Sequence, residues 1–91
     1  MLVARRFLVR GRVQGVGFRW FVRDVAAREG VHGWVRNCPD GSVEALIEGD
    51  VEAVDRVELA LRRGPAGARV DDVEVDERAP TSRPTGFSIR S

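Results

Sequence analysis

Lysine and tyrosine are absent from this sequence, and cysteine and histidine occur once each. The single cysteine, Cys38, forms no internal disulfide and supplies no pair of metal ligands, which is typical of proteins in a reducing compartment. No apolar run approaches the roughly 20 residues of a membrane-spanning helix. Arginines interrupt the apolar N-terminal residues too often for a signal peptide. The sequence therefore predicts a cytoplasmic protein with no membrane attachment and no bound metal.

Charge is distributed unevenly along the chain, whose 91 residues suffice for one small domain, 1–91. Residues 1–36 contain eight arginines and two acidic residues, whereas the remainder contains seven arginines and twelve acidic residues. The net charge of +1 thus conceals a positive first third that should attract small anions. The planar fork of arginine suits phosphate or carboxylate, although a bias in genomic base composition explains the missing lysines equally well.

Apolar periodicity predicts two helices among several strands. Strands are expected from Val3 to Val13 and in residues 31–37, 42–48, 69–77 and 86–90, with helices from Phe18 to about Glu29 and from an Asp50 N-cap to Gly64. Residues 78–85 form a predicted linker. This order indicates an α+β fold, a two-layer ferredoxin-like βαββαβ sandwich with an antiparallel sheet and a short extra C-terminal strand.

The segment GRVQGVGFRW, residues 11–20, places three glycines between the first strand and the first helix, followed by Arg19. Glycine permits positive φ and a close approach of ligand to backbone, so the amides of residues 15–19 can turn inward together. A helix N-terminus and an arginine add positive charge at the same place. The loop is therefore predicted to bind one phosphate-sized dianion.

Three well-known phosphate loops do not fit this segment. A Walker loop needs a lysine, a dinucleotide fingerprint needs glycine where Trp20 stands, and a cysteine-phosphatase loop needs a thiol where Val13 stands. Without a nucleophile or a metal cluster, such a site supplies mainly positioning and charge stabilisation. A carboxyl–phosphate anhydride, which has a good leaving group, is accordingly a better substrate than a phosphate monoester.

Asn37 is the candidate for aiming the attacking water. It ends the second predicted strand, beside the hairpin turn, and this strand is expected to lie near the first strand. A side-chain amide both donates and accepts hydrogen bonds, so it can hold a water molecule for in-line attack without acting as a strong base.

Two ordered motifs, VQGVGFR at 13–19 and GWVRN at 33–37 followed by DGSVE at 40–44, closely resemble the acylphosphatase family, and GFSIR at 86–90 resembles its final strand. The resemblance implies a ferredoxin-like monomer that hydrolyses small-molecule acyl phosphates to carboxylate and inorganic phosphate without metal or cofactor. Inorganic phosphate is then both product and competing anion. It also implies that Asn37 orients the water and that phosphate is bound by the segment Gln14, Gly15, Val16, Gly17, Phe18 and Arg19.

Two other functions fit the same fold. One is a regulatory module that binds phosphate or acyl phosphate without turnover. The other is an RNA-binding module, but the third predicted strand carries two glutamates and no aromatic residue, so no nucleic-acid partner is expected. Among the remaining residues, Cys38 is interpreted as an inert thiol and His32 as a strand residue. Trp20 and Trp34 are assigned to packing, with contact to an acyl group as the alternative.

Overall fold

The computed structural model describes residues 1–81 and 86–91. In chain order the elements are β1 (Leu2–Arg12), α1 (Phe18–Glu29), β2 (His32–Asn37), β3 (Val43–Asp50), α2 (Val51–Arg63), β4 (Arg69–Arg78) and β5 (Phe87–Arg90). Every predicted helix and strand is present, with ends shifted by one or two residues. Residues 82–85 of the predicted linker lie outside the described residues. Within the described ranges neither helix has the length and apolar character needed to cross a membrane.

The five strands form one sheet in the order β4-β1-β3-β2-β5. β3 pairs antiparallel with both β1 and β2, and β4 pairs antiparallel with β1. Each helix therefore connects two parallel strands that have a third strand between them, which is the predicted ferredoxin-like arrangement.

The structure adds two details to the predicted sheet. β5 pairs with β2 in parallel, with Val35 opposite Ile89, so the sheet is mostly but not wholly antiparallel. In addition, β3 lies between β2 and β1, so the strand that ends at Asn37 lies near the first strand, as expected, but does not pair with it. The sequence pattern specifies neither detail, because alternation of apolar residues identifies the two faces of a strand but not the strands beside it.

Both helices cover the same face of the sheet. The apolar positions of α1 and α2 recur at helical spacing and point at alternate residues of β1 and β3, as expected for amphipathic helices on a pleated surface. The buried core includes Phe7, Val9, Val13, Phe18, Val22, Val25, Val35, Val43, Ile47, Val54, Val57 and Leu61. Burying each of these larger side chains contributes on the order of 1.5–3 kcal/mol. This core fixes the start of α1 against the sheet.

The start of α2 differs in one respect from its prediction. Asp50 occupies the N-cap position, but its side chain makes no capping hydrogen bond. Instead it accepts a hydrogen bond of 3.0 Å from the amino group of Met1, and this contact lowers the pKa of Asp50. The carbonyl of Met1 accepts a hydrogen bond from the backbone N–H of Val51 at 2.8 Å. Met1 thereby provides a partner for one of the N–H groups at the start of α2 that have none inside the helix.

The opposite face of the sheet carries a network of charges around Glu44. Its side chain is only 9% exposed and accepts hydrogen bonds from Arg6 and, at 2.6 Å, from Arg36. Burial by itself raises the pKa of Glu44, but the two guanidinium groups outweigh it and lower that pKa below its usual value. Arg6 also reaches Asp76, at 3.0 Å, and so ties β3 to β4 through β1.

Candidate active site

The loop between β1 and α1 owes its shape to two glycines. Gly15 and Gly17 have φ of 74° and 76°, in the left-handed region that L residues with a side chain rarely adopt. A Cβ added at either position would have no neighbour within 4 Å. Backbone conformation therefore requires glycine here, while the space beside the loop is open to a ligand.

The start of α1 presents unpaired donors to this space. Gly17 occupies the N-cap position without a side-chain cap, and the first helical hydrogen bond runs from the N–H of Phe21 to the carbonyl of Gly17 at 3.0 Å. The amides of the preceding helical residues have no partner inside the helix. The first turn of α1 also contains no acidic residue. The helix end is thus electropositive and suited to an anion.

Arg19 stands in the first turn of α1 and is half-buried. Its Nη1 donates a hydrogen bond of 3.2 Å to the backbone carbonyl of Arg90 in β5. A guanidinium has five N–H donors, so this contact positions the group and still leaves donors for a ligand. The parallel pairing of β5 with β2, which the sequence did not predict, brings that carbonyl to α1.

Asn37 ends β2 on the side of the sheet that faces the helices. It is two residues beyond the fully buried Val35, and side chains two residues apart in a strand share a face. One cavity of about 240 Å³ brings Asn37 together with the loop and the start of α1; its lining residues are Val13, Gly15, Gly17, Phe18, Arg19, Trp20 and Asn37. Residues from two separate segments of the sequence, 13–20 and the end of β2, therefore border a single space.

Two of the predicted ligand residues do not line this cavity. Val16 packs against the hydrophobic core. The side chain of Gln14 instead donates hydrogen bonds to the carbonyls of Cys38 and Ser42, at 2.8 and 2.9 Å. Gln14 thereby connects the glycine loop to the β2–β3 turn immediately after Asn37.

Sequence reasoning missed this role of Gln14, although one signal was available. Gln14 and Asn37 are the only side-chain amides in the chain. The side-chain amide of Gln14 can donate and accept hydrogen bonds, so its presence in the glycine loop indicates a specific partner. The sequence does not identify that partner. Here the partner is a turn 24–28 residues further along the chain.

A second, larger cavity of about 450 Å³ lies on the sheet face opposite the helices. Its lining residues are His32, Gly33, Trp34, Leu46, Glu48, Thr81, Gly86, Ser88 and Arg90, none of which is a predicted site residue. The smaller cavity is the better candidate because it combines an arginine, an amide side chain and a helix N-terminus. Among the described residues, no group of three or more His, Cys, Asp or Glu side chains is placed to hold a metal ion.

Comparison with known proteins shows which family this chain resembles. The family model described as Acylphosphatase matches residues 5–89. An acylphosphatase of Aeropyrum pernix is 50% identical over 90 residues, covering 98% of this chain and 89% of its own. One from Koribacter versatilis is 49% identical over 85 residues, covering 93% of this chain and 77% of its own.

A solved structure gives the same relationship in three dimensions. The crystal structure of acylphosphatase from Bacillus subtilis superimposes with a TM-score of 0.93 at 41% sequence identity, and the match covers 100% of both chains. Sequence and structure are thus similar to the same group of enzymes, hydrolases that act on acyl phosphates, over nearly the whole length. The chain belongs to the acylphosphatase family.

Proposed function

We propose that this chain hydrolyses the carboxyl–phosphate bond of small acyl phosphates at the 240 Å³ cavity. The observation that carries the proposal is the convergence of Arg19, the start of α1 and Asn37 on that one space. The first two are suited to hold the phosphate, and Asn37 is suited to hold the water.

Phosphate is bound, in this proposal, by Arg19 and by the amides of residues 15–18. The guanidinium of Arg19 is already held by the carbonyl of Arg90. Less side-chain freedom is therefore lost when phosphate binds. Charge that develops on the phosphoryl oxygens during the reaction faces fixed donors, which is the most effective form of electrostatic stabilisation. The open space beside Gly15 and Gly17 admits the oxygens close to the backbone.

Asn37 is proposed to orient the attacking water. As the new P–O bond forms, the bond to the acyl oxygen breaks and the carboxylate leaves with the bonding electron pair. A carboxylate is stable without protonation, so no general acid is needed to assist it. The water proton passes to the phosphate or to solvent. The asparagine amide is adequate for this role because it both accepts from and donates to the water.

We also propose that the protein acts as a cytoplasmic monomer that uses no metal ion and has no nucleic-acid partner. The single, half-buried Cys38 fits a reducing compartment. Most arginines around β1 are engaged in ion pairs with neighbouring acidic side chains, which makes them poor contacts for a phosphate backbone.

Phosphate release from benzoyl phosphate, measured with and without excess EDTA, tests the proposal. Turnover is expected at equal rates in both, with 4-nitrophenyl phosphate a poor substrate and inorganic phosphate a competitive inhibitor. Binding of benzoyl phosphate without phosphate release would indicate a regulatory module instead, and loss of turnover in EDTA would show that a metal ion takes part.

A further inference from the structure

Trp20 is a large apolar side chain that stays exposed at the edge of the candidate active site. It follows Arg19 directly, is 54% exposed and lines the cavity that contains Arg19 and Asn37. Most large apolar side chains of this chain are buried in the core. A tryptophan at the mouth of a polar anion site offers a flat apolar surface. The part of a phosphate ester or anhydride that lies beyond the bound phosphate extends past this surface.

Arg23 holds this ring in place. Its guanidinium carbon lies 4.2 Å from the centroid of the Trp20 ring, one turn further along α1. Side chains on a helix lean toward its N-terminus, so the indole leans toward the glycine loop and Arg23 covers the ring from the C-terminal side. The ring stays more than half exposed and borders the same cavity as Gly15 and Gly17.

We propose that Trp20 determines acyl-group specificity: its indole stacks against aromatic or extended planar acyl groups whose phosphate is bound at the loop. The inference rests on the proposed function, because the phosphate must first be held by Arg19 and the loop amides. Once it is, the acyl group projects to the mouth of the cavity. A benzoyl group there covers apolar surface of Trp20, whereas an acetyl group is too small to do so. Trp20 thus favours bulky acyl phosphates over small ones.

The test compares two substrates in two alanine variants. For Trp20→Ala, the ratio of kcat/KM for benzoyl phosphate to that for acetyl phosphate should fall roughly three- to tenfold, the loss expected for one aromatic stacking contact. Trp34→Ala is the matched control, since Trp34 also has an arginine over its ring, with Arg90 at 4.7 Å, but lies on the opposite face of the sheet. This control should keep the wild-type ratio. Because a ratio is compared, any general loss of folded enzyme cancels.

Fluorescence gives an independent readout. Trp34→Phe leaves Trp20 as the only tryptophan, and its emission should change when phenacylphosphonate, a non-hydrolysable aromatic analogue, saturates the site. Inorganic phosphate at saturation should change it less.

An unchanged substrate ratio in Trp20→Ala, or an equal fluorescence response to both ligands, would overturn the specificity role while leaving the proposed function intact. Absence of acyl-phosphate hydrolysis by the wild-type protein would instead overturn the proposed function itself.

Discussion

Gln14 holds the β2–β3 turn against the glycine loop through two hydrogen bonds. We expect loss of these bonds to lower both the stability of the fold and the catalytic rate. Gln14→Met keeps an unbranched side chain of similar length but removes both N–H donors. The carbonyl of Cys38 still accepts from the N–H of Gly41, and that of Ser42 still accepts from the N–H of Cys38. Neither acceptor is left unsatisfied, so the loss is that of two ordinary hydrogen bonds, about 1–3 kcal/mol.

For a domain of this size, a loss of that magnitude lowers Tm by roughly 5–15 °C. The effect on kcat has a separate cause, because Asn37 immediately precedes the released turn. A shift of about 1 Å in a positioning group can cost up to a hundredfold in rate, so kcat for benzoyl phosphate at 25 °C should fall at least about fivefold.

Val57→Ala is the matched control for stability. Val57 is fully buried in α2, a helix that contributes no residue to the lining of the 240 Å³ cavity, and its truncation costs about 1.5 kcal/mol. Thermal unfolding and steady-state kinetics on both variants separate the two effects, because Val57→Ala should lose stability and keep kcat. If Gln14→Met loses no more activity than Val57→Ala, Gln14 contributes only to stability and the positioning role is refuted.

Two further predictions follow from the charged groups. Arg19→Lys keeps the charge but loses the planar fork, so kcat/KM should fall roughly ten- to a hundredfold or more. The control Arg62→Lys, on the surface of α2, should leave kcat/KM unchanged. Equal effects of the two substitutions would argue against phosphate binding by Arg19. Glu44→Gln should destabilise the protein by about 1–3 kcal/mol at pH 7. The folded-state pKa of Glu44 is lowered, so its contribution is complete above its usual value of 4.5 and is lost as pH falls through the folded-state pKa. Unfolding of both proteins between pH 7 and pH 2 should therefore show a difference that shrinks with acidification, and a constant difference would contradict the assignment.

Much of the fold was predictable because local patterns determine it. The apolar spacing of α1 and α2 and the glycines that end them mark both helices, and the alternation in β1 and β3 marks the strands that carry the core. Strand order was less accessible, since β5 pairs with β2 through contacts that depend on the path of the whole chain. The side chain of Asp50 likewise followed a distant partner, the amino group of Met1, rather than its local capping preference.

The geometry of the candidate site was predictable to the extent that it depends on residue type and order. Gly15 and Gly17 have the positive φ that the loop was expected to need, and Arg19 and Asn37 border one cavity. The side chain of Gln14 could not be placed from sequence, because its two acceptors are backbone carbonyls, which every residue carries. The local sequence shows that Gln14 lies in the glycine loop. It does not show which distant turn the Gln14 side chain contacts.

The central claim is that Asn37 acts on the attacking water while Arg19 and the loop bind phosphate. Its most direct test is to measure kcat for benzoyl phosphate and the inhibition constant of inorganic phosphate in the wild type and in Asn37→Ala. Removing a group that acts mainly in the transition state should lower kcat on the order of a hundredfold, with the inhibition constant within about twofold of wild type. An inhibition constant that rises manyfold at unchanged kcat would contradict the claim and place Asn37 among the phosphate ligands.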